Sequence, residues 1–131
     1  PWPLHLESID SNEAEFFRLG WIADYPDAEN FLALFMSRNH TPGPNATLYE
    51  NEEFDRLYDE AMLEPDEAKR AVVYERAAGI VIDECPWLFT TTGETISLRQ
   101  PWIKDYPVNP LAVYYYKNLV IERRETEVRS Q

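Results

Sequence analysis

Three carboxylates crowd into one short stretch, Asp24, Asp27 and Glu29, and such a group could hold a cation or move a proton. A calcium loop of the EF-hand type needs Gly at its sixth position and Glu at its twelfth. This stretch offers Glu29 and then apolar residues instead. A solvated turn opening a helix is the simpler reading, because Asp residues flanking Tyr25-Pro26 suit a turn. A small acidic hydrolase using Asp24 and Asp27 would lose turnover in both Asp24→Asn and Asp27→Asn. No nucleophile or electrophile motif accompanies the pair, so nothing calls for turnover.

Other reactive groups are as sparse. Thr90, Thr91, Thr92 and Gly93 lack the Gly-x4-Gly-Lys pattern of a phosphate loop, and lysine occurs only at Lys69, Lys104 and Lys117. Consecutive threonines are strand formers first. No Gly-x-Ser-x-Gly is present. His5, His40 and Cys85 have no zinc-ligand spacing, and a lone cysteine forms no disulfide within the chain. Cys85, beside Pro86 on an apolar run, reads as a small buried hydrophobe. Tyr114, Tyr115 and Tyr116 would alternate across a strand and cannot share one face. No enzyme activity, cofactor or metal is expected.

The elements that must position these groups follow from spacing. Residues 1–13 read as a polar, Pro-containing loop, and 14–22 as a short buried strand. Asp24-Tyr25-Pro26-Asp27 breaks it, since a residue before proline is pushed out of the helical region. Residues 28–36 predict a short helix, and 37–47 a loop rich in Asn, Pro and Gly. Asn51 suits an N-cap, with Glu52 and Glu53 in the first turn where the helix dipole favours anions. Phe54, Leu57, Tyr58, Ala61 and Met62 then repeat at helical spacing. Pro65 suits the first turn of a second helix running to residue 84, with Ala68, Ala71, Tyr74, Ala78, Val81 and Ile82 inward. Asp66 and Arg70 there form an i, i+4 pair. Residues 51–63 and 65–84 are expected as an antiparallel pair burying Phe54, Leu57, Tyr58, Tyr74, Ala78 and Val81. Residues 87–98 read as extended and 111–121 as a terminal strand, with an Arg/Glu-rich tail that frays over 122–131. The class is α+β or α/β, a helical hairpin flanked by strands in one compact unit.

The chain has 131 residues, 24 Asp+Glu against 12 Lys+Arg and a net charge of -12, with 44% hydrophobic residues. That composition suits one globular domain and argues against a phosphate-backbone or anionic-membrane partner, so no nucleic acid is expected. No apolar run approaches the ~20 residues of a membrane span. Pro1 to Leu6 show neither the charged nor the apolar region of a signal peptide.

The segment Gly20-Trp21-Ile22-Ala23-Asp24-Tyr25-Pro26-Asp27-Ala28-Glu29-Asn30-Phe31-Leu32 resembles the C-terminal part of the family 5 extracytoplasmic solute-binding proteins, the oligopeptide-, dipeptide- and nickel-binding receptors of ABC importers. Tyr49-Glu50-Asn51-Glu52-Glu53-Phe54-Asp55 is similar to that family's Tyr-x-Asn-x-x-Phe-Asp helix start. Arg70, Tyr74, Ala78, Ile82 and Glu84-Cys85-Pro86-Trp87 resemble its next helix and strand. Pro101-Trp102-Ile103-Lys104-Asp105-Tyr106, Asn109-Pro110-Leu111 and Tyr116-Lys117-Asn118-Leu119 resemble its end. Order and spacing agree over about residues 14–121.

The resemblance implies a fragment of a two-lobe α/β periplasmic binding protein that lacks most of the ligand cleft. It implies binding of a peptide or similar solute, periplasmic or extracytoplasmic location, and ABC importer membrane subunits as partners of the intact receptor. Asp24 matches the aspartate that pairs with the ligand's α-ammonium in peptide-binding members. Ile22 and Ala23 would offer main-chain bonds, and Trp21 would wall the cleft. Asp24 does not select among peptide, sugar oligomer and metal chelate. The competing reading is a protein-interaction module presenting the 51–84 hairpin, with no small-molecule ligand. A receptor piece should bury Phe54, Leu57, Tyr74 and Ile82 against its own fold. Aromatic surface around Trp21, Trp87 and Tyr114 would favour self-association.

Overall fold

A computed structural model, describing residues 1–94, 96–106 and 116–122, contains the helical hairpin where the apolar spacing puts it. Helix α3 spans Glu52–Leu63 and helix α4 Glu67–Glu84 (α1 and α2 precede them in the chain). Asn51 caps α3: its side chain accepts the Phe54 N–H at 2.9 Å, with Glu52, Glu53 and Asp55 in the first turn. Pro65 lies outside α4 rather than in its first turn. Asp66 is the cap, and its Oδ1 accepts the N–H groups of Ala68 and Lys69 at 3.0 and 3.1 Å. The Asp66 carboxylate is therefore engaged with the backbone, and the expected pair with Arg70 does not form.

The two helices run antiparallel and are tied at one end by Glu84. That carboxylate accepts from Asn51 Nδ2 at 2.8 Å and from the Tyr49 hydroxyl at 2.5 Å. A carboxylate at a helix C-terminus opposes the dipole; here it also faces the N-terminus of α3, where a negative charge is favoured. Burial and the Glu84 bond push the Tyr49 phenol well above its ordinary range, so it remains a donor. Beyond Glu84, Cys85 adopts the left-handed conformation at φ 47° and its N–H closes on Val81 O at 2.9 Å. It is exposed, not buried as expected, because the helix stop turns it outward and its thiol donates to Trp87 O at 3.2 Å.

Phe54 and Ala61 are fully buried, and Leu57, Tyr58, Tyr74, Ala77 and Val81 complete the face between the helices. Against it pack Leu32, Leu34, Phe35 and Met36. The ring of Phe35 meets Phe54, Tyr49 and Trp87, the last at a centroid distance of 4.7 Å. Helix α4 carries more apolar residues than one face can hold. The structure buries Tyr74, Ala77 and Val81 and half-buries Ala78, while Ala68, Ala71 and Ile82 are exposed, as is Met62 on α3. The expected inward positions of Ala68, Ala71, Ile82 and Met62 are corrected accordingly.

The N-terminal residues also differ from expectation. Trp2–Asp10 form helix α1, with Pro3 in its first turn where a missing N–H costs nothing. Only Ile9 of α1 is buried, which is why no helical stripe marks it as other than a loop. Residues 14–22 are irregular, not a strand; Phe16 and Ile22 are exposed and no neighbouring strand is available to them among the described residues. Helix α2 covers Glu29–Leu32 and continues as a 3-10 turn over Ala33–Phe35, as the apolar run requires. A second 3-10 turn, Ser37–Asn39, leads into the loop.

That loop is stapled by Asn45, which is fully buried. Its Nδ2 donates to Met36 O at 3.0 Å and Tyr49 O at 2.9 Å, and its Oδ1 accepts the Tyr49 N–H at 3.2 Å. Gly43 sits inside the same turn, where a Cβ would fall 2.6 Å from Asn39 O and 2.8 Å from His40 O. Both obstacles are backbone and cannot swing aside. Gly43→Ala should therefore destabilise the chain by about 1–3 kcal/mol, read as a lower urea midpoint with an unchanged slope.

The chain divides into two compact units, Pro1–Phe89 and Thr90–Gln131. Described residues of 90–100 are exposed and carry no regular structure, so the extended reading of 87–98 gains no ladder among the described residues. In the second unit β1 (Ile103–Lys104) pairs antiparallel with β2 (Val120–Ile121), Ile103 opposite Ile121. Tyr116–Asn118 is a 3-10 turn, and the rest of the expected terminal strand, residues 111–115, lies outside the described residues, as does the tail from 123. Helices with one small sheet make the class α+β. No helix among the described residues is long and apolar enough to cross a membrane.

Candidate functional site

Residues Trp21 to Asp24 run without regular structure into the 24–27 bend and then α2. What holds them is Asn30, which is only 7% exposed. Its Oδ1 accepts the Trp21 indole N–H at 2.9 Å and the Asp24 backbone N–H at 3.3 Å. Ala23, at 6% exposure, is tucked inward, while Ile22 is 73% exposed and Trp21 43%. The four candidate residues are thus contiguous, with Ile22 the most exposed of those three and Ala23 covered.

The three clustered carboxylates have separate fates. Asp27 is committed to structure: Oδ1 accepts the Glu29 N–H at 2.9 Å and Oδ2 accepts from Arg70 Nη2 at 3.1 Å. Arg70 also donates to Glu64 O at 3.3 Å, so the guanidinium joins the 24–27 bend to the start of α4. Glu29 accepts from the hydroxyls of Tyr25 and Tyr58. Burial first, then the Glu29 bond, pushes the Tyr58 phenol far up; burial and the charges of Asp27 and Glu29 raise Tyr74. Both phenols stay protonated at neutral pH. Asp24 alone remains exposed with no ion-pair partner among the described residues. No group of three or more potential metal ligands forms among those residues.

An open groove of about 540 Å³ lies between the 26–32 segment and α4, walled by Pro26, Phe31, Arg70, Tyr74 and Ala78. Neither Trp21 nor Asp24 lines it. His40 Nε2 donates to Tyr49 O, 3.1 Å away, and His5 Nε2 to Arg18 O, 3.2 Å away, so neither histidine is poised at the candidate site. Sequence reasoning missed Asn30 and the Asp27–Arg70 link. Asn30 had a signal: a poor helix former set in an apolar run is there to make bonds.

No protein-family model matches the chain. It is 39% identical over 85 residues to the oligopeptide-binding protein OppA of Bacillus subtilis, covering 65% of this chain and 15% of that one. It is 30% identical over 109 residues to heme-binding protein A of Haemophilus influenzae, covering 83% of this chain and 20% of the relative. Among solved structures, the unliganded open form of the periplasmic murein tripeptide-binding protein MppA matches with a TM-score of 0.70 at 24% identity, over 92% of this chain and 23% of the other. The fold is thus a portion of a periplasmic binding protein. By its relatives the chain is placed among the family 5 extracytoplasmic solute-binding proteins, whose length it spans by about a fifth or less in these curated relatives.

Proposed function

We propose that this chain contributes the ammonium-anchoring wall of a peptide-binding cleft in an extracytoplasmic receptor that delivers its solute to the membrane subunits of an ABC importer. The observation that carries this is Asp24: of three neighbouring carboxylates, it alone is exposed with no ion-pair partner among the described residues, beside an indole fixed by Asn30. A carboxylate covered by a closing cleft favours a compact cation and orients it through charge-assisted bonds. The exposed, irregular stretch at Ile22 suits strand-like pairing with an extended ligand. The 39% identity to an oligopeptide-binding protein supports a peptide, and the absence of nucleophile and base motifs supports binding without turnover. The test is calorimetry with a protein of full family length carrying this segment. Peptides with a free amino terminus should bind, and N-acetylation should weaken them; equal binding of both forms would remove the ammonium from the reading. A heme-type ligand has no ammonium and would be indifferent to Asp24.

The 131-residue chain alone exposes Phe16, Ile22, Leu63 and Ile82, and should self-associate at high concentration. Trp87, which the sequence suggests as part of that surface, is half-buried against Phe35 and does not contribute, while Tyr114 lies outside the described residues. Sedimentation giving one monomeric species from micromolar to millimolar concentration would contradict this.

A further inference from the structure

We infer that Asn30 is the positioning residue of the ligand-anchoring segment: by holding the Trp21 indole and the Asp24 backbone on one amide oxygen, it presents the Asp24 carboxylate outward. The inference rests on Asp24 as the ammonium anchor. Segment 21–24 has no ladder to fix it, because no strand among the described residues pairs with it. Its anchors are the buried methyl of Ala23 and the two bonds to Asn30, at 2.9 and 3.3 Å.

The amide is well placed for the task. Residue 30 lies in α2, whose apolar neighbours Leu32, Leu34 and Phe35 belong to the main core, so its backbone is fixed from below. Its oxygen accepts from two donors that come from different parts of the segment, one side chain and one backbone. That geometry locks both the ring and the main chain of a stretch otherwise free to turn, and pre-organised contacts are what raise affinity without adding new ones. It also explains why a polar residue is buried there, as a buried amide without partners would be costly.

The experiment uses the protein of full family length, with Asn30→Leu, Asn30→Asp and Asp24→Asn. Asn30→Leu keeps the size and removes the acceptor; Asn30→Asp keeps an acceptor for both N–H groups. In the unsubstituted protein the Trp21 indole N–H, assigned through Trp21→Phe, should exchange slowly with solvent. A fast-exchanging indole overturns the inference before any variant is made. Asn30→Leu should free that indole and weaken a free-amine peptide about tenfold while changing its N-acetylated form little. Asn30→Asp should keep the preference for the free amine within about threefold of the original. Equal weakening of both peptides by Asn30→Leu is the mark of a merely structural residue and overturns positioning. If Asp24→Asn abolishes the free-amine preference and Asn30→Leu does not, the anchor stands and the inference about Asn30 fails. If Asp24→Asn leaves the preference untouched, the anchor reading fails and takes the inference with it.

Discussion

Asp24→Asn, made in a protein of full family length, is expected to weaken a free-amine peptide by on the order of 30-fold or more. The substitution keeps shape and hydrogen-bonding reach but removes the charge, leaving the ligand's ammonium covered beside a neutral amide. Truncating one side of a covered charge pair costs ~2–5 kcal/mol, which sets that factor. In this chain Asp24 is exposed, so the full effect requires a cleft that closes over it. An N-acetylated peptide has no ammonium to lose and should bind both proteins alike. The 131-residue chain should bind neither peptide measurably, because it supplies one wall and roughly a fifth of the length of its relatives. Calorimetry on both proteins reads all three outcomes. Equal losses for free and acetylated peptides would return Asp24 to the status of a turn residue, and tight binding by the short chain would refute the one-wall account.

The second large effect is on stability. Phe54→Ala should cost about 3–5 kcal/mol, a large fraction of the ~5–15 kcal/mol that a domain commonly has. Phe54 is fully buried, and its ring meets those of Phe35, Tyr49 and Tyr58 at centroid distances of 6.3, 6.2 and 6.4 Å. No neighbour is a loose surface chain able to fall into the space. Ile82→Ala should change stability by less than about 0.5 kcal/mol, because Ile82 is 65% exposed. Denaturation followed by far-UV circular dichroism compares the two directly. Comparable losses would mean that the outer face of α4 is covered in solution.

That contrast shows where sequence reasoning reaches its limit. Both residues lie on apolar stripes of helical spacing, Phe54 on α3 and Ile82 on α4, and both resemble positions of the family. The spacing identifies α3 and α4 and Asn51 as a cap because those depend on neighbours three or four residues away. It cannot choose between two apolar stripes on α4, because that choice belongs to Leu32, Leu34 and Phe35 from another part of the chain. The strand expected over 14–22 fails for a related reason, and the stretch over 87–98 gains no strand partner among the described residues. A β-branched or aromatic run is extended only provisionally, since its backbone groups need a second strand. The loop expected over 1–13 is helix α1, whose single buried residue left no amphipathic stripe to read.

By itself, then, the amino-acid sequence determined the helical hairpin, its Asn51 cap, the break at Tyr25-Pro26 and the placement of Asp24 within a family-like segment. All of these are set by local sterics and near-neighbour hydrogen bonds. The tertiary structure decided which carboxylate is free. Arg70 reaches across 43 positions to take Asp27, and Tyr58 reaches across 29 to engage Glu29. Asn30 takes the backbone of Asp24, whose carboxylate has no ion-pair partner among the described residues. Such assignments depend on which distant groups the core brings within 3 Å or so, and a charge or amide finds its partner only after packing has set those distances.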